Sequence, residues 1–541
     1  MLKNKKFQLI VAFFALLFVL VACGNDDNDN DTGSDDANVG EEGSGDDATG
    51  VGVSGASDEV IVAIPGELPT LDPHAENMLA ASQVNVHVLS TLVNQDADLQ
   101  IYPGLAHSWE QLDELTWQFN LRDYVYFHNG DKMTAEHVQF SLARAAEAPR
   151  VAPVVGMIDA NGFEIVDDYT IIIRTEYPFA PFLNHLAHNA SAVLNMNVLG
   201  DVIPGEASND LIVGTGPYQI IQHTSGDRLV MERWDDYWGE LPNMRLITYR
   251  IMTDPSARTF ALETGDVDII MNPLATDISR LENDSNFTVP YVTGLGVEYM
   301  MMNNERIPNP LVRQAINYAL DVPSIVQVTT EGTFDPAYGF VNQVTFGHNP
   351  NFEGFPFDVE RARDLMIEAG YSGERGANDL SIDLFANSEN MIRTQSAEII
   401  ANQLYEIGID VDIRTMEFNT IMEEFVTQRQ ADMALLGWGT VTGDADYALF
   451  PLFHSSAHSP STNHSLFYNP EFDDLIERAR VSSDPDERLA LYWEAQDILR
   501  EYAPWVLLSN NIVRLPAQNN IGGIVVMAHQ SHFFGNIYFT D

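Results

Sequence analysis

Asp444-Ala445-Asp446 places two carboxylates two residues apart in a polar loop, and Arg393 stands near a helix start about fifty positions earlier. In an extended loop both acid side chains project to one side and can hold a cation or an ammonium; the alternative is a solvated acid pair. They lie too close in sequence to flank a glycosidic bond without help from elsewhere. A guanidinium fork grips a carboxylate bidentately, so Arg393 is the candidate anion ligand; its plainer role is pairing with Glu389 or Glu398 on a helix surface. Trp438 ends an apolar run, Ala434-Leu435-Leu436-Gly437, and offers either a broad wall with one donor or a core side chain. No HExxH, GxSxG or P-loop occurs, and the 14 histidines form no paired motif, so neither catalysis nor a metal cofactor is expected. Gly214-Thr215-Gly216-Pro217 reads as a tight turn before a strand, not as a phosphate cradle, because no P-loop lysine follows.

The only cysteine, Cys23, closes Leu20-Val21-Ala22-Cys23 after a basic start and the apolar run from Phe7. That pattern is a secretory signal peptide over residues 1–22, and the tetrapeptide resembles a bacterial lipobox, which implies cleavage before Cys23 and lipidation of its thiol. Disulfides, a cysteine-based zinc site and thiol catalysis are excluded. Residues 23–58 are Asp, Asn, Gly and Ser with little to bury, an acidic disordered tether. The GxGxxG at Gly50–Gly55 has no strand before it, and Asp27–Asp31 lacks the glutamate that closes a calcium loop. Net charge is −52, and most of the 79 acids lie beyond the tether. Lys132 is the only lysine after the signal peptide; the other fixed cations are arginines, which keep their charge where lysine begins to lose it. An alkaline or salty extracellular medium is expected, and nucleic acid is excluded as a partner for want of a basic patch.

The elements that must position these residues alternate between strand and helix. Glu59–Ile64, Thr116–Leu121 and Tyr169–Arg174 read as strands. Ala80–Leu92, Pro310–Leu320, Val359–Ala369, Ile392–Ile407 and Pro485–Arg500 read as helices, with Thr134 capping another and Gly370 and Gly408 closing two. Residues 60–541 exceed one core, so two or three α/β domains are expected.

Ordered blocks along this body then resemble a known family. They include Leu71-Asp72-Pro73-His74, Gly104–Glu110, Phe119–Asp123 with Phe127-His128-Asn129-Gly130, Gly214–Tyr218, Gly265–Asp268, Val312–Ala319, Gly437-Trp438 and Pro451–Ser455. Together they resemble family 5 of the solute-binding proteins of ABC importers, the peptide and nickel type, with Tyr124 in the place of a usual glycine. Gly443–Leu449, Ala503-Pro504-Trp505 and Pro178-Phe179 with Leu186-Ala187-His188 are most similar to its glutathione-binding branch.

The resemblance implies a periplasmic-binding-protein-like type II α/β fold: two lobes, a hinge and an extra subdomain on the first lobe. The implied division is lobe I over 59–93, the subdomain over 94–210, lobe I again over 211–298, lobe II over 299–504 and a return to lobe I over 505–541. It also implies a monomeric, non-catalytic importer component at the outer face of the cell membrane, taking short peptides, glutathione among them, to permease subunits without a cofactor. A sensor lipoprotein, or an importer of nickel-chelate, haem or sugar, shares the same features. Relatives that take peptides hold the amine with an aspartate shortly after Gly-Trp; Val441 stands there, leaving Asp444, Asp446 and neighbouring Tyr447 as candidates. From the other lobe Asn77, His188 and Asn189 are candidates to reach in, His188 alternatively being a satisfied structural histidine, and Tyr299–Asn303 is expected to include the crossing.

Overall fold

The computed structural model describes residues 58–67, 70–75, 79–427, 431–457 and 463–540. The signal peptide, Cys23, residues 24–57 of the expected tether and Asn77 lie outside the described residues. Strand Glu59–Ile64 is apolar on both faces because both are covered: Val60, Val62 and Ile64 face one core, and Ala63 joins Leu262 and Ile270 in another. It pairs in parallel with Leu246–Ile251 and Ile269–Ile270 at the centre of a seven-stranded sheet. The Asp254, Asn309, Asn469 and Asp484 side chains each cap a helix that begins with proline, so start signal and fixed φ coincide.

The first helix, Leu79–Val88, stops four residues before the sequence pattern does. The glycine turn is the reason. Gly216 N–H donates to the Val88 carbonyl at 2.9 Å, and any Cβ on Gly214 would overlap that same oxygen. The turn is therefore a backbone-to-backbone dock that only glycine permits. His128 fastens its far side, its backbone N–H reaching Gly214 and its Nε2 bonding to the Gly216 carbonyl at 2.9 Å.

A six-stranded sheet organises the second lobe in the order Asp335–Pro336, Trp505–Arg514, Tyr291–Met302, Met433–Gly439, Leu380–Asn387, Ile409–Met416. Helices Pro310–Ala319, Val359–Glu368 and Met391–Leu404 cover one face, while Asp446–Phe453, Pro470–Val481 and Pro485–Tyr502 cover the other. Within the expected subdomain, a four-stranded antiparallel sheet carries helix Ala135–Ala146 on a separate core built round Phe119, Val138, Leu142, Ile171 and Ile173.

Two strands join the lobes. Tyr291–Met302 and Trp505–Arg514 run antiparallel in the second sheet, with a bulge between Thr293 and Val297 where the Asn511 side chain lies against Gly294 and Gly296. Leu515 N–H then bonds Pro290 O at 3.1 Å, and Ala517–Gln518 enters the first sheet. The crossing thus lies at about Pro290 and Leu515, and the expected boundaries at 299 and 505 fall inside paired lobe II strands. Tyr299 is 2% exposed and stacks on Trp505 at 3.5 Å, a core contact that removes it from both the crossing and the crevice.

Candidate functional site

Strand Met433–Gly439 delivers alternate side chains to two cores until its last three residues reach the seam between the lobes. Trp438 follows Ala434 and Leu436 on one face. It is half-buried, packs against both the lobe II core and the subdomain core, and donates its indole N–H to the Tyr447 carbonyl at 3.0 Å. Gly437 occupies the other face, opposite Glu298 in the register. Glu298 is the only charged residue in strand Tyr291–Met302, and its carboxylate receives Arg393 through two bonds, Nε at 2.9 Å and Nη2 at 3.1 Å. Any Cβ on Gly437 would overlap that carboxylate, so glycine is what lets the pair lie across the strand end. Arg393 sits in the first turn of Met391–Leu404, its backbone N–H capped by Asn390. Its partner is Glu298, not Glu389 or Glu398.

The Asp444/Asp446 pair turns inward. Asp444, 2% exposed, accepts two contacts at 2.8 Å from Arg488 Nη2, one from the Tyr492 hydroxyl and one from the Asp446 N–H. Asp446, 3% exposed, pairs with Arg480 Nε at 2.9 Å; burial nevertheless raises its pKa, with Arg480 opposing. Neither carboxylate is presented to a ligand amine in this conformation. They instead shape the loop from Gly439 to Tyr447, which meets lobe I: Gln95 and Asn184 both donate side-chain amides to Thr442 O at 3.2 Å. Tyr447 is buried within the subdomain core.

His188 is half-buried and accepts the Ala190 N–H at Nδ1, while Asn189 donates to Ser82 O at 3.3 Å. Burial, helped by His185 and His529, pushes the His188 pKa down to about 3, so the ring is neutral near pH 7. Beside the crossing lies a cavity of about 260 Å3, walled by Asn272 and Pro273 of lobe I, Phe334 and Ile392 of lobe II, Asn511 and Arg514 of the crossing strand, and Gln530 and His532 of the return. Ile392 precedes Arg393, and Asn511 lies on Gly296, two residues from Glu298, so cavity and ion pair adjoin. Glu298, Asn511, Arg514, Gln530 and His532 were not found from sequence. Only Glu298 carries a signal, a lone charge inside an apolar strand. Among the described residues no group of three or more His, Cys, Asp or Glu could hold a metal ion, and no helix is long and apolar enough to cross a membrane.

The sequence profile of the bacterial extracellular solute-binding proteins, family 5 Middle, matches residues 100–460. The glutathione-binding protein GsiB of Escherichia coli is 29% identical over 478 residues, spanning 86% of this chain and 92% of that protein. Its counterpart in Salmonella paratyphi A is 30% identical over the same length and coverage. Among solved structures, the periplasmic binding protein DppA of Helicobacter pylori in complex with the peptide STSA superimposes with a TM-score of 0.78 at 26% identity, covering 90% of this chain and 99% of that one. NikA of Brucella suis in complex with Fe(III)-EDTA shares the fold, with a TM-score of 0.80 at 24% identity over 89% and 100% of the two chains. Two lobes joined by two strands, with a polar seam between them, define a solute-binding protein. The chain belongs to the bacterial extracellular solute-binding proteins of family 5, as its sequence blocks imply.

Proposed function

We propose that this protein is the cargo-capturing lipoprotein of an ABC importer, tethered through Cys23 to the outer face of the cell membrane, and that it closes on short peptides, glutathione among them, for delivery to a permease. The observation that carries the reading is the Glu298–Arg393 pair at the end of strand Met433–Gly439, on the face opposite Trp438 and next to the cavity at the crossing. A short peptide carries an ammonium and a carboxylate, and burying either unpaired is costly. Glu298 and Arg393 are the complementary charges, partly buried and held to each other. In this reading the peptide exchanges charge partners with the pair, and closure of the lobes follows as a population shift. The relatives named for glutathione and the DppA complex with a peptide support this cargo class over a metal chelate.

Thermal melts of the full chain with glutathione, dipeptides, tripeptides and nickel test it. A cargo held a thousandfold above its Kd adds about 4 kcal/mol to stability. Stabilisation by glutathione or another short peptide is the expected result. Stabilisation only by nickel would replace the cargo, and turnover of any peptide would overturn the non-catalytic role.

A further inference from the structure

The cavity at the crossing holds two buried donors without acceptors beside neutral amides and no carboxylate. His532 is 1% exposed and accepts the Met527 N–H at Nδ1, 3.0 Å away, so the neutral ring carries its proton on Nε2. That Nε2–H is buried without a partner. Burial, with His529 and His87 adding, pushes the ring's pKa down to about 3, which keeps it a neutral donor. Arg514 gives Nη1–H to the Thr333 carbonyl at 2.6 Å, and its Nε–H is likewise buried without a partner. Burial works against the Arg514 charge, while Glu282, Tyr291 and Asp335 nearby support it. Helices Ala275–Glu282 and Met391–Leu404 each place a first-turn residue, Ala275 and Ile392, in its wall. No carboxylate lines it.

Two buried donors without acceptors, one an imidazole N–H and one on the Arg514 guanidinium, describe a place for an anion. The volume falls below the roughly 300–1,000 Å3 of pockets that enclose a whole small ligand, so the cavity holds part of a solute. We propose that it receives a carboxylate, and that the cargo is therefore an acidic peptide bearing a second carboxylate besides the one that meets Arg393. This assignment rests on the short-peptide reading above, and glutathione, with two carboxylates and one ammonium, has the required chemistry.

Calorimetry on the full chain with glutathione and its two monoamides tests the assignment. Both monoamides are expected to bind about tenfold weaker than glutathione or worse. Arg514→Gln is expected to weaken glutathione by a similar factor while leaving one monoamide unchanged, a coupling between that residue and one carboxylate. A second arm uses glutarate against glutaramide, read on the Nε2 proton of His532 by NMR. Glutarate is expected to move that resonance and glutaramide to leave it. If glutarate moves it while no peptide binds, the anion cavity stands and the short-peptide cargo falls. If peptides bind but acid and amide are equivalent and glutarate moves nothing, the cavity assignment is overturned and the cargo reading survives. The comparisons on unaltered protein decide the matter should Arg514→Gln fail to fold.

Discussion

At Gly437 a single methyl group would disturb the Glu298–Arg393 pair of the proposed site. Gly437→Ala drives a Cβ into the Glu298 carboxylate, and forced repacking of this kind costs about 1–3 kcal/mol. A lower melting temperature together with weaker peptide binding is expected, by melts and calorimetry. Arg393→Met removes charge-assisted bonds worth about 1.5–3 kcal/mol and should weaken peptide binding roughly tenfold to a hundredfold. Unchanged affinity in that variant would remove Arg393 from the site. The guanidinium was legible in sequence because a lone arginine near a strand end and helix start is conspicuous. Its partner was not, because Glu298 lies 95 residues earlier and meets it only where helix Met391–Leu404 packs at the end of strand Tyr291–Met302. The acid pair misled for a related reason. Asp444 and Asp446 look free in the loop, and only the packing of Pro470–Val481 and Pro485–Tyr502 brings Arg480 and Arg488 to them.

Among the elements, helix Pro470–Val481 acts as a clasp between the lobes. Arg480 lies 3.7 Å from the Phe450 ring centre and 5.0 Å from that of Tyr177, donates Nη2–H to the Tyr177 hydroxyl, and its carbonyl accepts the Ala180 N–H at 2.7 Å. Tyr177 and Ala180 belong to the subdomain side, so opening the lobes must part these contacts. Arg480→Ala leaves Asp446 buried and unpaired, a defect of about 3–5 kcal/mol. Arg480→Lys is expected to recover little, because an ammonium cannot stack flat on Phe450. Chemical denaturation of both variants checks this, and full recovery by lysine would contradict it. Helices with strong periodicity, such as Pro310–Ala319, were read from sequence nearly to the residue. Strand Trp505–Arg514 was assigned to the wrong lobe, because an apolar strand carries no mark of which sheet it will join.

For the whole molecule, charge and buried histidines set the conditions of stability. His87, His185 and His532 are buried, and desolvation takes their pKa values from near 6.5 to about 3, 4 and 3. Folded rings stay neutral where unfolded ones bind protons, so their contribution is complete above pH 6.5 and is lost as pH falls to about 4 for His185 and about 3 for His87 and His532. Each ring adds a slope of about 1.4 kcal/mol per pH unit in that window. Acid unfolding should begin near pH 6, followed by circular dichroism. With a net charge of −52, self-repulsion should ease as the screening length shrinks from about 10 Å at 0.1 M salt to about 3 Å at 1 M, raising the melting temperature. A stability curve that peaks at neutral pH and low salt would contradict both the repulsion argument and the expectation of an alkaline or saline habitat.

Closure of two lobes on a small charged solute is the claim on which the functional account depends, and small-angle scattering of the full chain across a glutathione titration tests it most directly. The predicted result is a saturable contraction at the concentrations that raise the melting temperature, absent in Arg393→Met. A scattering profile unchanged at saturating ligand, with thermal stabilisation present, would show binding without closure and contradict the account.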